Sequence, residues 1–235
     1  MLKVLRIIFV TLYVTTTSLI GTLLCLLRPF NPDNARLMGR VLGRPVLKML
    51  GIDFQIEGKE ILVENRPGIF ISNHQDNIDL FCCGAIIPKR TVSLGKKSLR
   101  WIPFFGQMYW LTGNVLIDRA HKKRAYGTMD KAVEAVTEKD TTIWMMPEGT
   151  RNRVGGVAPF KKGVFYAAIK SRRPLTPICF NRYSEHINLN KIKSGKIRMK
   201  VLSPIDTTKW KEDQAGELAE HCHDLVSQCL KEMPN

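Results

Sequence analysis

The chain is predicted to be an α/β protein: a mixed sheet covered by helices, preceded by an N-terminal hydrophobic membrane-anchoring helix and a basic interfacial helix. Three observations predict it. Short apolar runs alternate with amphipathic stretches after Gly51, an uncharged apolar run fills the N-terminal end, and a regular basic stripe separates the two. With 235 residues, 44% hydrophobic and 24% charged, there is room for one substantial domain and little for a second. The boundary is placed after Gly51, giving an anchoring region over 1–51 and an α/β domain over 52–235.

The first element runs from Ile7 to Leu27 without a charge. As a helix it is about 31 Å long, enough for the hydrocarbon core of a bilayer. A cleaved signal peptide would share Lys3 and Arg6 as its basic start, but no small-x-small cleavage site follows. A soluble helix is seldom apolar all round over this length. In the next element, Asn34 to Gly51, Arg36, Arg40, Arg44 and Lys48 recur every four residues and form one basic stripe, with Leu37, Val41, Leu47 and Leu50 expected on another side and Pro45 bending the helix. Beside an anchor, such a helix is read as lying in the lipid interface.

Beyond Gly51, Gly68–Ser72, Thr91–Leu94, Val115–Ile117, Thr142–Met146, Leu175–Phe180 and Ile197–Val201 read as strands by length and composition. Lys122–Glu138, Phe160–Ser171 and Glu212–Lys231 read as helices. Sites in α/β sheets form outside the carboxyl ends of strands, so motifs at those ends gain weight.

Charge narrows the partners. Thirty-six Lys and Arg against 21 Asp and Glu give +15, which suits nucleic acid, an anionic membrane or an acidic substrate or carrier. Nucleic-acid binding is not expected, because the cations are dispersed and the aromatic residues sit largely in apolar runs. The six cysteines (Cys25, Cys82, Cys83, Cys179, Cys222 and Cys229) form no C-x-x-C pair and are read as reduced, as in a cytosolic compartment. No metal is expected at His221-Cys222-His223, because residues two apart on a helix point in different directions.

Three motifs carry chemistry. Ser72-Asn73-His74-Gln75-Asp76-Asn77-Ile78-Asp79 follows the strand at Gly68–Ser72, and Asp79 stands five positions after His74, four residues intervening, across a strand-to-helix turn. A carboxylate there can bond one imidazole nitrogen and leave the other to take a proton from a hydroxyl. Gly113–Arg119 and Pro147-Glu148-Gly149-Thr150-Arg151 each put an acid and an arginine at a strand end, where a guanidinium fork matches phosphate oxygens. Pro174–Ile178 by itself reads only as core. Each motif alone is a weak signal.

In this order, the four blocks resemble the motifs of the glycerolipid acyltransferase family, and the likeness runs from the N-terminal anchor to Ile205. Val92–Trp110, with Gly95-Lys96-Lys97-Ser98-Leu99 and Trp101-Ile102-Pro103-Phe104-Phe105-Gly106, is similar to the bacterial lysophosphatidate branch of that family. Met146 stands where phenylalanine often precedes Pro-Glu-Gly. The resemblance implies that His74 is a general base oriented by Asp79. It implies that Arg119, Glu148, Gly149, Thr150 and Arg151, with Lys96 as a looser match, bind a phosphorylated acceptor. It further implies transfer of a fatty acyl group from acyl-CoA or acyl carrier protein to the sn-2 hydroxyl of lysophosphatidic acid, giving phosphatidic acid, with no cofactor or metal. Glycerol 3-phosphate or another lysophospholipid is the alternative acceptor. Anionic membrane lipid is the expected further partner. Sparse cations before the anchor and dense ones after it place the 52–235 domain on the cytoplasmic face of the bacterial inner membrane.

Overall fold

The computed structural model describes residues 1–117, 122–152 and 156–234. Among these residues, seven strands form one sheet: β1 (Ile52–Glu57), β2 (Ile69–Ser72), β3 (Thr91–Lys96), β4 (Val115–Ile117), β5 (Thr142–Met145), β6 (Leu175–Phe180) and β7 (Gly195–Val201). The order is β1-β7-β6-β2-β5-β3-β4, and every pair is parallel except β6 with β7. The eight helices among them are α1 (Leu2–Leu26), α2 (Pro32–Met49), α3 (Ile61–Glu64), α4 (Ile78–Ile86), α5 (Phe105–Leu111), α6 (Lys122–Thr137), α7 (Gly163–Ser171) and α8 (Ala215–Glu232). This is the expected mixed α/β sheet with covering helices.

The central strands β2, β5 and β6 are buried at every residue, which is why they read as continuous apolar runs rather than alternating ones. Ile69, Ile71, Ile143 and Leu175 pack toward α6, α7 and α8, whereas Phe70, Trp144, Ile178 and Phe180 pack toward α2 and α4. Each such side chain removed from water contributes about 1.5–3 kcal/mol. Because β5 and β6 flank β2, the loops that follow these three strands converge at one end of the sheet.

The α2 helix is part of this packing. Asn31 caps it by accepting the Asp33 N–H at 3.0 Å, and Pro32 stands at its first turn, where no N–H partner is needed. It continues through Pro45 and lies against α4 so closely that a Cβ on Gly43 would meet the Ala85 nitrogen at 2.4 Å. The anticipated apolar side divides in two: Leu47 and Leu50 are buried, but Leu37 and Val41 are exposed beside the arginines. A four-residue step overshoots the helical repeat by about 40°, and a ten-residue gap carries Leu47 well round from Leu37.

Other elements differ in extent. β1 was not expected, although Ile52, Phe54 and Ile56 alternate with Asp53, Gln55 and Glu57; it pairs with β7 at the sheet edge. β3 runs on to Lys96. α7 starts at Gly163 rather than Phe160, because the preceding residues are held elsewhere: Lys161 N–H donates to Pro147 O at 3.0 Å. A 3-10 turn over Glu212–Gln214 precedes α8.

α1 lies along the protein surface with both ends attached. The Arg6 guanidinium donates to Leu189 O at 3.0 Å, Lys191 O at 2.6 Å, Ile192 O at 2.7 Å and Ser194 Oγ at 2.6 Å. Near its other end Thr22 Oγ1 donates to Phe104 O at 3.3 Å, and Phe30 N–H to Leu111 O at 2.8 Å. Ser18, Gly21 and Cys25 are buried against the protein, while Ile7, Ile8, Phe9, Leu12, Ile20 and Leu23 are exposed.

Candidate active site

β2 ends at Ser72, and the chain turns at once into α4, carrying His74 and Asp79 on either side of the turn. Asp79 is fully buried, and its Oδ2 meets His74 Nδ1 at 2.7 Å. The same oxygen accepts the main-chain N–H groups of Gln75 at 2.7 Å and Asp76 at 3.0 Å. Its other oxygen accepts the Tyr183 hydroxyl in a short hydrogen bond. Burial first, then the adjacent Asp79 charge, pushes the Tyr183 hydroxyl far above its ordinary range, so it stays a donor. Four donors thus define the carboxylate, and the His74 side chain remains 23% exposed.

Polar groups around the turn fix its position. Asn73 Nδ2 donates to Phe180 O at 3.0 Å while its Oδ1 accepts Phe180 N–H at 2.8 Å, clamping the end of β2 to β6. Gln75 Nε2 donates to Asn181 O at 2.7 Å. Trp144 Nε1 donates to Ser72 Oγ at 3.1 Å, joining β5 to the same turn.

The third motif follows β5 and meets the first. Glu148 is buried, and its two oxygens accept His74 N–H at 2.6 Å and Ala158 N–H at 2.9 Å. Burial raises its pKa from the ordinary glutamate value, opposed by those two N–H groups. Asn152 N–H donates to His74 O at 2.8 Å, so the main chain of His74 is held from both sides by this loop. Gly149 has φ +71°, a left-handed conformation that a side chain would strain, and a Cβ there would stand 2.6 Å from Lys161 Nζ. Thr150 and Arg151 are exposed, and Arg151 Nη1 donates to Asn77 Oδ1 at 2.8 Å.

The structure therefore brings His74, Asp79, Glu148, Gly149, Thr150 and Arg151 together, and places Lys96 exposed at the end of β3, one strand beyond β5. Asp118 and Arg119 lie outside the described residues, so the second motif is placed only through Gly113–Ile117, which leads into and forms β4 beside β3. Sequence reasoning did not single out Asn73, Gln75, Tyr183 or Lys161. The first two stand inside the His74 motif, where buried amides flanking the histidine were a usable signal. Tyr183 is 104 positions from Asp79, and no local pattern marks it.

A buried carboxylate orienting an accessible imidazole, beside an exposed arginine at the carboxyl ends of parallel strands, can move a proton at a hydroxyl next to a bound phosphate. The family model described as Acyltransferase matches residues 53–181, and the chain belongs to that family. Among its relatives, the 1-acyl-sn-glycerol-3-phosphate acyltransferase of Escherichia coli (strain K12) is 39% identical over 233 residues, covering 99% of this chain and 95% of the relative. The enzyme of that name from Haemophilus influenzae is 38% identical over 99% of this chain and 97% of its own. The crystal structure of the 1-acyl-sn-glycerophosphate (LPA) acyltransferase PlsC from Thermotoga maritima shares the fold, with a TM-score of 0.78 at 23% identity over 98% of this chain and 94% of that one.

Proposed function

We propose that this enzyme transfers a fatty acyl group from acyl-CoA or acyl carrier protein to the sn-2 hydroxyl of 1-acyl-sn-glycerol 3-phosphate, forming phosphatidic acid. The activity named for the full-length relatives supports the reaction. The observation that carries the mechanism is the 2.7 Å contact between His74 Nδ1 and Asp79 with the imidazole still open to solvent. With Nδ1–H committed to Asp79, Nε2 presents its lone pair. It takes the proton of the sn-2 hydroxyl as that oxygen attacks the thioester carbonyl. The C–O bond forms, the C–S bond breaks, and the imidazolium returns its proton to the departing thiolate. Asp79 supports the positive charge between these steps.

Arg151, Thr150 and Lys161 beside Gly149 form the near side of the acceptor phosphate site, with Arg119 from the second motif and Lys96 as further cations. Glu148 acts differently from a substrate ligand. Both its oxygens are engaged by main-chain donors, so it is a positioning residue that sets the His74 backbone.

The protein works at a membrane, its α1 helix entering one leaflet rather than crossing. A helix tied to one domain near both ends cannot carry those ends to opposite sides, and its outward apolar row suits lipid. The cations that follow α1 support a cytoplasmic orientation of the domain. The test is purified protein given each thioester donor with 1-acyl-sn-glycerol 3-phosphate or glycerol 3-phosphate, followed by lipid analysis. Phosphatidate from the first acceptor is expected; product from glycerol 3-phosphate alone would overturn the assignment.

A further inference from the structure

At the end of the sheet opposite His74, a surface pocket of about 340 Å³ is lined by Arg28, Asp33, Arg36, Leu37, Arg40 and Lys89. Arg90 leads into β3 and its carbonyl accepts Thr142 N–H at 2.8 Å, so the pocket stands beside the N-terminal ends of β3 and β5. His74 follows the carboxyl end of β2, which runs parallel to both.

Four cations here face one carboxylate, and Asp33 already accepts Arg90 N–H at 3.2 Å. Arg66 adds a further cation close to Arg36, Arg90, Asp33 and Asp140. Arg36 Nε and Arg66 Nε and Nη2 are buried without a hydrogen-bond partner among the described residues. Buried donors of this kind are unfavourable until an acceptor reaches them. Partial burial, then repulsion from Arg36 and Arg44, also holds the Arg40 guanidinium below its ordinary range. An anion in the pocket meets Arg36 and Arg40, which line it, and relieves both penalties at those two residues.

The surroundings select the form of that anion. Leu37 lines the pocket, and Leu27 and Val41, next in the chain to the lining residues Arg28 and Arg40, are exposed, as is Phe30. A soluble phosphate would leave these groups in water, whereas the chains of a lipid cover them while its phosphate meets the guanidinium groups. We propose that this pocket holds the phosphate of an anionic membrane phospholipid, as a second lipid site that takes no part in the reaction. The proposal rests on the reading of the α1–α2 face as membrane-facing.

The test compares two double variants on the same helix that remove equal charge. Arg36→Gln with Arg40→Gln strips the pocket, and Arg44→Gln with Lys48→Gln strips the stripe outside it. Binding of the full-length protein is measured by flotation with phosphatidylcholine vesicles with or without phosphatidylglycerol. A bound phosphate predicts that the pocket pair loses about tenfold more affinity for phosphatidylglycerol vesicles than the outer pair, since charge-assisted hydrogen bonds are lost beyond diffuse attraction. Arg40→Gln with Lys89→Gln, both exposed, should reproduce the larger loss if Arg36 proves necessary for folding. Equal losses in all pairs would overturn the pocket and leave the membrane reading standing. A wild-type protein that ignores both kinds of vesicle would overturn both. Inorganic phosphate that raises Tm in detergent as much as phosphatidylglycerol does would assign the pocket to a soluble anion instead.

Discussion

Asp79→Asn separates what the charge of this carboxylate does from what its hydrogen bonds do. Oδ2 accepts from His74 Nδ1 at 2.7 Å, Gln75 N–H at 2.7 Å and Asp76 N–H at 3.0 Å, and Oδ1 accepts from the Tyr183 hydroxyl. Asparagine offers one acceptor oxygen. Turned toward the Oδ2 side, that oxygen keeps three donors satisfied, while its NH2 meets a hydroxyl that can rotate to accept. The opposite orientation sets the NH2 against two main-chain N–H groups, at about 1–3 kcal/mol for each group left unsatisfied. The amide oxygen therefore faces His74, the imidazole keeps Nδ1–H, and only the negative charge is lost. Exchanging a charged acceptor for a neutral one removes about 1–2 kcal/mol, or about 5- to 30-fold in kcat. This is far less than the ~10⁴-fold loss that a wrong tautomer brings in a Ser-His-Asp site. The assay is thiol release from acyl-CoA in detergent micelles at saturating lysophosphatidate, with phosphatidate measured alongside. A folded variant that loses about 10⁴-fold would show that the amide turns round and that the Gln75 and Asp76 N–H groups do not govern it.

Three further outcomes follow from the same contacts. Tyr183→Phe removes one donor from a buried carboxylate and should lower stability by about 1–3 kcal/mol, with a measurable fall in Tm and a smaller loss of kcat than Asp79→Asn; an unchanged Tm would mean that the hydroxyl contributes nothing there. Arg151→Ala and Arg119→Ala should raise the apparent KM for lysophosphatidate by roughly 10- to 150-fold for each charge-assisted hydrogen bond lost, and a change confined to the donor KM would refute the phosphate assignment. Burial raises the pKa of Glu148, so the folded protein takes up this proton before the unfolded chain does. Its contribution to stability is then full below the unfolded-state pKa and lost as pH rises through the folded-state value. Glu148→Gln should flatten the difference in Tm across that window, and a profile parallel to wild type would show that this carboxyl does not titrate there.

Much of this was legible because the signals are local. Gly68–Ser72 and Thr142–Met146 read as strands by their length and apolar content, and both ends proved correct to within a residue. His74 and Asp79 were found because a turn with four residues between them brings them together within one motif. The rest depends on distant parts of the chain. That β5 and β6 both flank β2 decides which loops meet, and no periodicity encodes strand order. Glu148 read as a substrate ligand because motif chemistry gives residue type but not direction; its carboxylate turns inward to His74 N–H and Ala158 N–H. β1 was overlooked although it alternates, since an edge strand with three polar residues in six lacks the apolar density of the central strands. Leu37 and Val41 were grouped with Leu47 and Leu50 by residue type, where the 3.6-residue repeat separates them.

The central claim is that His74 takes the proton of the acceptor hydroxyl, and His74→Ala tests it most directly. Its side chain is partly exposed, and its main-chain N–H and carbonyl bonds to Glu148 and Asn152 survive the substitution, so the fold should persist. The measurement is the single-turnover rate of phosphatidate formation from acyl-CoA and lysophosphatidate by the folded variant in micelles. Loss of a general base predicts a fall of about 10²–10⁴-fold with donor binding unchanged. A folded His74→Ala protein that forms phosphatidate near the wild-type rate would contradict the account and require another base.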